Sequence, residues 1–237
     1  MITSVHNKTI KDLMKLKQKK YREKYYLVES KHLVEEAIKA KQTDLIISTE
    51  EINMGVENLV VSKEVMEKLA FTKNPQPIMA RCFVQKDKKI IDGKRYLILD
   101  DLQDPGNIGT LIRTALAFEI NQVILSKQCV DLYNDKLLRA MQGAHFHISC
   151  IYADLKEIIP ILQKKGVHIV GSALENGKVI DIIKKHDKMA FVLGNEGNGM
   201  NQKIIDICDD IAYIPISTIE SLNVAVAGSI MMYYFHK

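Results

Sequence analysis

The sequence predicts an α/β protein with a small N-terminal unit and a larger C-terminal parallel sheet flanked by helices. In the second half of the chain, short apolar runs alternate with segments of helical periodicity. Those runs are continuous, as expected for strands that are buried on both faces. A polar, charged stretch over residues 85–94 separates them from a shorter first part. We therefore predict domains at residues 1–90 and 91–237.

Composition narrows the class of protein further. The chain has 237 residues, of which 47% are hydrophobic and 26% charged, which excludes a collagen-like, disordered or disulfide-scaffold protein. The four cysteines lie far apart in sequence and predict free thiols in a reducing cytoplasm. Residues 1–24 lack the apolar core of a signal peptide, and polar residues interrupt the apolar stretch over residues 211–235. We expect a cytoplasmic protein without a membrane span.

Positive charge is concentrated at the N-terminus. Residues 1–24 contain eight Lys and Arg against two Asp and Glu, whereas the rest of the chain is slightly acidic. Such a block can contact the phosphate backbone of a nucleic acid. The alternative is a solvated helix face that only improves solubility.

The first part of the chain contains helices and strands in alternation. An apolar stripe among the lysines predicts a helix carrying Val5, Ile10, Leu13 and Leu16. Ser62 is predicted to cap a later helix. Further helices are predicted over residues 32–40 and 63–70, and strands over residues 25–28, 45–47, 59–61 and 78–84.

The second part predicts a regular succession of strands and helices. The strands are expected at residues 96–99, 123–125, 148–151, 168–170, 190–193 and 212–214. The helices are expected at residues 108–118, 135–142, 155–165 and 221–235. In such sheets, ligands bind beyond the carboxyl ends of the strands.

Three loops that follow predicted strands carry residues that the fold alone does not require. The first, residues 100–109, leads into the helix with Arg113, and the second is glycine-rich around Glu196. The third, residues 215–223, opens the last helix. Asn107 and Ser221 each have an alternative role as a helix cap. Because no dinucleotide-binding or P-loop motif is present, these loops do not indicate a nicotinamide or nucleotide-hydrolysing enzyme.

Taken together, the loops resemble the SpoU (TrmH-type) RNA 2′-O-ribose methyltransferases of the SPOUT superfamily. The similarity is carried by residues 99–115, 193–200 and 214–227, each following a predicted strand. Residues 26–37 are similar to the start of the family's substrate-binding domain, a small α/β fold like some ribosomal proteins. The resemblance implies a trefoil-knotted catalytic domain, RNA as substrate and a homodimer whose interface helps to complete the site.

The resemblance also implies S-adenosylmethionine as cofactor, held by the second and third motifs. The cofactor-binding residues would be Leu193, Gly194, Asn195, Gly197, Ile214, Ile216, Ser221, Leu222 and Asn223. The catalytic residue would be Arg113, supported by Asn107, Glu196, Ser221 and Asn223. Arginine is a poor proton acceptor, so we expect Arg113 to clamp the phosphate beside the ribose hydroxyl, with Asn107 and Glu196 holding Arg113 or the ribose.

Several alternatives stay open from sequence. Ribosomal RNA is favoured over transfer RNA because the N-terminal domain resembles that of ribosomal-RNA enzymes. A non-catalytic RNA-binding or ribosome-assembly protein and a base-nitrogen methyltransferase are the competing functions. Arg139 is either an RNA contact or an ordinary surface residue. His145 and His147 lie near cysteines, but the spacing fits no zinc class and we expect no metal. Glu119 stands where the family often has glycine.

Overall fold

The computed structural model describes residues 1–85, 89–173 and 177–236, in two compact units. The first unit comprises Met1–Lys86 together with Asp131–His147, and the second comprises Asp87–Val130 and Ile148–Lys237. Residues 131–147, which follow a strand of the second unit, thus pack with the N-terminal part of the chain. The apolar periodicity of the sequence does not predict that these residues belong to the first unit.

The described residues form the following elements in chain order. The helices are α1 Lys8–Lys15, α2 Lys31–Lys39, α3 Lys63–Leu69, α4 Pro105–Ala117, α5 Asp135–Met141, α6 Leu155–Lys164, α7 Gln202–Ile205 and α8 Val224–His236. The strands are β1 Tyr25–Glu29, β2 Thr43–Ser48, β3 Glu57–Val60, β4 Ile78–Phe83, β5 Arg95–Leu99, β6 Gln122–Ser126, β7 Ser149–Ala153, β8 His168–Ser172, β9 Lys178–Val179, β10 Met189–Leu193 and β11 Asp210–Tyr213.

The first unit is built on a four-stranded sheet in the order β1-β4-β2-β3. Strand β4 runs antiparallel to both β1 and β2, whereas β2 and β3 are parallel. Ile10 and Leu13 of α1 and its C-cap Leu16 enter the core, which confirms most of the predicted apolar stripe. Val5 packs against the same core but precedes the helix, so its predicted place in the helix is wrong. The Ser62 hydroxyl accepts the backbone N–H of Val65 at 3.3 Å, so the predicted cap of α3 is also confirmed.

The 131–147 segment is attached to this unit by specific hydrogen bonds. The buried hydroxyl of Tyr26 lies 2.9 Å from Nε2 of His145, and the backbone N–H of Gln85 donates to the Tyr133 hydroxyl at 2.8 Å. Burial lowers the pKa of His145 to about 3. His147 lies 2.9 Å from the Glu36 carboxylate. These two histidines therefore contribute to packing and surface contacts within the unit.

The second unit contains a seven-stranded sheet in the order β7-β6-β5-β10-β8-β11-β9. Every neighbouring pair is parallel, which confirms the predicted sheet. Side chains of α6 and α7 pack in one buried cluster with strand residues such as Ile98 of β5 and Val192 of β10. Phe235 of α8 stacks on Phe191 of β10. Strand β9 and helix α7 were not predicted because elements of two and four residues have too little periodicity to detect.

The starts of α4 and α8 differ from those predicted. The Asp104 side chain accepts the backbone N–H of Asn107 at 2.8 Å, so Asp104 caps α4 and the capping alternative for Asn107 is wrong. Helix α8 begins at Val224, where the Asn223 side chain accepts the N–H of Ala225 at 2.9 Å. The predicted start at Ser221, with that residue as cap, is also wrong.

Close packing between α8 and its neighbours depends on Gly228. A Cβ atom at this position would collide with the Leu193 side chain of β10 and the Leu111 side chain of α4. The glycine therefore allows the last helix to lie directly against the strand and helix that bear two of the three loops. Among the described residues, no helix is both long and apolar enough to cross a lipid bilayer.

Candidate active site

The three loops singled out from sequence meet beyond the carboxyl ends of β5, β10 and β11. They border a cavity of about 580 Å³. It is lined by Asn107, Ser172, Ala173, Leu193, Gly194, Asn195, Glu196, Gly197, Asn198, Gly199, Met200, Ile205, Ile214, Ile216, Ser221, Leu222, Asn223, Val224 and Ala227. All the residues predicted to bind cofactor are in this set, as are Asn107 and Glu196. Arg113 is not.

The loop after β10 is a tight turn closed by its own backbone. Asn195 and Gly199 exchange backbone hydrogen bonds of 2.9 and 3.0 Å. The Asn195 side-chain oxygen accepts the N–H of Gly197 at 2.9 Å. A Cβ atom on Gly194 would collide with the backbone of Gly199 and Met200, so only glycine fits there. The turn is thus held in a single shape along one wall of the cavity.

Two consecutive aspartates at the end of β5 hold the two ends of this turn. The Asp101 carbonyl accepts the side-chain amide of Asn195 at 2.8 Å, and the Asp100 carboxylate accepts the backbone N–H of Asn201 at 2.8 Å. Asp100 is only 5% exposed, and burial raises its pKa. We call this arrangement the aspartate clamp. It couples the first loop to the shape of the second.

Glu196 has a structural explanation that the sequence did not offer. Its Oε1 accepts the backbone N–H of Asp104 at 3.0 Å and the side-chain amide of Asn107 at 3.2 Å, while Oε2 accepts the N–H of Gln103 at 3.2 Å. Although burial raises the pKa of Glu196, these donors and its own backbone N–H outweigh it and lower the pKa. The side chain is therefore a fixed carboxylate at neutral pH.

Asn107 joins Glu196 to the third loop. Its Oδ1 accepts the side-chain amide of Asn223 at 2.9 Å. The Asn223 oxygen in turn accepts the backbone N–H groups of Ala225 and Val226, so its amide orientation is determined. Glu196, Asn107 and Asn223 form a continuous chain of hydrogen bonds across the three loops, which we call the amide bridge.

Two of the predicted catalytic residues, Ser221 and Arg113, lie outside the amide bridge. Ser221 is exposed at the edge of the cavity. Arg113 is exposed on α4, and among the described residues it makes no hydrogen bond or ion pair. The structure therefore brings Asn107, Glu196 and Asn223 together but leaves Arg113 apart from them in the single chain.

Helices α4 and α8 also share an apolar surface, which we call the α4–α8 face. It is a shallow groove of about 400 Å³ lined by Thr110, Phe118, Ala225, Val226, Ser229, Ile230 and Tyr233. Tyr233 is 69% exposed, whereas Met231 and Met232, its neighbours in sequence, are buried. The last helix thus contributes side chains both to the core and to the exposed surface.

Sequence reasoning missed some of the residues that build the cavity. Asp100 and Asp101 were recognised only as part of a motif, and their hydrogen-bond partners lie far away in sequence. Ser172 and Ala173, at the end of β8, belong to no recognised motif. The only feature of the sequence that could have pointed to Ser172 and Ala173 as cavity residues is their position after a predicted buried strand. Among the described residues, no three or more His, Cys, Asp or Glu side chains are arranged to hold a metal ion.

The parallel sheet, the clamped glycine turn and the amide bridge at its carboxyl edge form one ligand-binding site, and comparison with known proteins gives its class, that of the SpoU methyltransferases. Residues 94–233 match the SpoU rRNA Methylase family, and residues 7–80 match the MRM3-like substrate binding domain. The chain is 35% identical to the 23S rRNA (guanosine(2553)-2′-O)-methyltransferase RlmP of Bacillus subtilis, over 98% of both proteins. The protein belongs to the SpoU rRNA methylase family.

Solved structures agree with this assignment. A putative RNA methyltransferase of the TrmH family from Porphyromonas gingivalis superposes with a TM-score of 0.88 at 26% identity, over 98% of both chains. The AdoMet-bound rRNA methyltransferase from Sinorhizobium meliloti gives 0.87 at 27% identity, over 98% of this chain and 95% of that one. The predicted family, α/β parallel-sheet fold, RNA methyltransferase activity and S-adenosylmethionine cofactor are confirmed by these matches, whereas the trefoil knot stays a prediction.

Proposed function

We propose that the protein methylates a ribose 2′-hydroxyl of structured RNA in the cytoplasm, with ribosomal RNA preferred over transfer RNA. The observation that carries this proposal is the amide bridge, which places Asn107, Glu196 and Asn223 at one edge of the cavity. The similarity to RlmP, whose name specifies a ribose position in 23S rRNA, supports the RNA class. Free cysteines, three of them buried, suit a reducing compartment.

The cavity has the chemistry needed for S-adenosylmethionine. Leu193, Ile214, Ile216 and Leu222 supply apolar surface, and the glycine turn presents backbone groups to a ligand. The predicted cofactor residues would therefore hold the adenosine and amino-acid parts between them. When bound, the cofactor supplies a methyl group on a positively charged sulfonium.

Arg113 is proposed to bind the phosphate next to the target ribose. Its guanidinium is exposed and has no partner among the described residues, so it is available for a bidentate phosphate contact. Such a contact would orient the hydroxyl and stabilise the negative charge that develops on its oxygen. Because Glu196 and Asn107 already bond to each other, we assign them to the loop geometry and the ribose, not to Arg113.

We further propose a homodimer formed through the α4–α8 face. Tyr233, Val226 and Ile230 are exposed apolar side chains on one helix, which is unusual for a monomer surface. Arg113 lies on α4, which contributes Thr110 and Phe118 to the same face. An interface there would bury surface beside Arg113, as expected for one that helps to complete the site.

The dimer can be tested by sedimentation. Tyr233→Asp should convert the protein to a monomer, because a carboxylate would be desolvated at the centre of the interface. Ile161→Asp is a matched control, since Ile161 is exposed on α6 outside the face. A Tyr233→Asp protein that sediments as the wild type does would exclude this interface.

Activity is tested by incubating the protein with tritiated S-adenosylmethionine and either deproteinised ribosomal RNA or bulk transfer RNA. We expect label to enter ribosomal RNA. Arg113→Ala should bind the cofactor normally but transfer no methyl group, whereas Lys165→Ala, at an exposed end of α6, should behave as the wild type does. Transfer to neither RNA by a protein that binds the cofactor would favour the non-catalytic RNA-binding alternative.

A further inference from the structure

The turn between α1 and β1 is held rigidly by Arg22. Its guanidinium donates to the carbonyls of Leu16 and Lys17 at 2.8 and 2.7 Å, and to the Asp131 carboxylate at 2.5 Å. The Arg22 side chain is only 9% exposed. One of the eight cations of the N-terminal block is therefore a structural residue and is not available to a ligand.

A second cation of this block is also internal. The Lys17 ammonium donates to the carbonyls of Lys68 and Ala70 at 3.2 and 2.6 Å, and lies over the Phe71 ring. Burial lowers the pKa of Lys17. The charge available to a ligand is thus smaller than the sequence suggests, and part of it lies on the outer, exposed side of the turn, which carries Lys19, Lys20 and Lys24.

That outer side presents an aromatic ring among unpaired lysines. Tyr21 closes a 3₁₀ turn at Lys19–Tyr21 and is 43% exposed. The Lys20 ammonium lies 4.9 Å from the centre of its ring. Among the described residues, Lys19, Lys20 and Lys24 form no ion pair, and the Tyr21 hydroxyl has no hydrogen bond. The Tyr21 backbone N–H donates to the Gln18 carbonyl at 3.1 Å, and the side chain of the next residue, Arg22, is itself held in place, so the backbone that carries the ring has a defined position.

The ring of the neighbouring Tyr25 is less accessible than that of Tyr21. Its ring lies 4.4 Å from the Arg81 guanidinium, 5.0 Å from the Lys24 ammonium and 5.6 Å from the Phe83 ring. Arg81 is held in place by a bidentate ion pair with Asp44. Tyr25 is surrounded by three groups, whereas among the described residues only the Lys20 ammonium is recorded over the Tyr21 ring, so the exposed Tyr21 is the better placed of the two for stacking.

We propose that Tyr21, together with Lys19 and Lys20, binds an unpaired nucleotide of the RNA substrate, with the base stacked on the tyrosine ring and its phosphates beside the lysines. Aromatic side chains stack on unpaired bases without strong sequence preference, and basic side chains follow the backbone. The proposal rests on RNA methylation as the function and names the structural class of RNA recognised: RNA with a single-stranded element.

The test measures the binding of a short fluorescein-labelled oligouridylate and of a fully paired RNA duplex of the same length, by fluorescence anisotropy with the full chain. Tyr21→Ala should weaken oligouridylate binding about tenfold, as expected for one lost stacking contact. Tyr21→Phe should retain wild-type affinity because it keeps the ring. Tyr21→Leu should resemble Tyr21→Ala, which separates stacking from general apolar contact. Duplex binding should change less than twofold.

Equal affinity of the wild type and Tyr21→Ala for oligouridylate would overturn the proposal, as would a wild type that does not bind this probe. Methyl transfer to ribosomal RNA, measured in parallel, keeps the two inferences distinct. If the wild type methylates RNA and Tyr21→Ala does so with an unchanged KM, the stacking site is wrong and the function stands. If the wild type binds oligouridylate through Tyr21 but methylates no RNA, the proposed function fails.

Discussion

The side-chain amide nitrogen of Asn107 lies 3.2 Å from the Glu196 carboxylate, although 89 residues separate them in sequence. This bond fixes the orientation of Asn107, whose oxygen then faces the amide of Asn223. Each loop alone carries only polar residues that could serve as caps or turns. Their connection through one asparagine makes the edge of the cavity a single, ordered unit.

Replacing Glu196 by Gln should disrupt the amide bridge. The new amide nitrogen would face the N–H donors of Gln103, Asp104 or Asn107, so at least one acceptor would be lost. We expect methyl transfer to fall about 100-fold as the loop geometry shifts, with a smaller effect on cofactor affinity. Glu51→Gln, at an exposed position of the first unit, is the control. Single-turnover assays with labelled cofactor would reveal the loss; a wild-type rate would show that the bridge is not needed.

The aspartate clamp predicts a difference between two substitutions of Asp100. Asp100→Ala removes the acceptor for the Asn201 N–H and should weaken cofactor binding about tenfold, the value of one hydrogen bond. Asp100→Asn keeps an acceptor oxygen and should bind within about threefold of the wild type. Isothermal titration with S-adenosylmethionine measures both. Tight binding by Asp100→Ala would mean that the turn keeps its shape without the clamp.

Glu119 identifies a position where the protein can be stabilised. It follows the C-cap of α4 with a φ of +57°, and the N–H of Ile120 donates to the Ala115 carbonyl in a Schellman arrangement. Glu119→Gly should raise the free energy of unfolding by about 0.5–1 kcal/mol, because glycine adopts this conformation without strain. Glu157→Gly, inside α6, should instead lower it by about 1 kcal/mol. Denaturant titration of both variants measures these changes in the free energy of unfolding. Destabilisation by Glu119→Gly would contradict the inference that the positive φ of Glu119 strains the backbone.

His145 should make stability depend on pH in the mildly acidic range. Its pKa is lowered from 6.5 to about 3 by burial, so between these values only the unfolded chain takes up its proton. This contribution to stability is complete above pH 6.5 and is lost as the pH falls towards 3. His145→Phe should have a flatter profile of unfolding free energy against pH, whereas His6→Phe, at an exposed position, should keep the wild-type slope. Parallel profiles for His145→Phe and the wild type would be inconsistent with a neutral buried imidazole.

The sequence supported the strands and longer helices because their apolar periodicity is a local property. The roles of Asn107, Glu196 and Asn223 came from the resemblance of the three loops to the SpoU methyltransferases, because periodicity alone gave only a ligand site at the carboxyl ends of the strands. Their mutual geometry was not predictable, because it depends on β10 lying next to β5 in the sheet and on α8 starting at Val224. The same limit applies to Arg22, whose charge suggested a ligand contact but whose donors bind Asp131 and backbone carbonyls.

The proposed function requires that the product is a ribose 2′-O-methyl group. The most direct measurement is to methylate ribosomal RNA with the wild-type protein, digest it with alkali and map the positions that resist cleavage. Alkaline cleavage requires a free 2′-hydroxyl, so we expect one new resistant position that is absent with Arg113→Ala. Labelled RNA that is cleaved by alkali at every position would place the methyl group on a base and contradict ribose methylation.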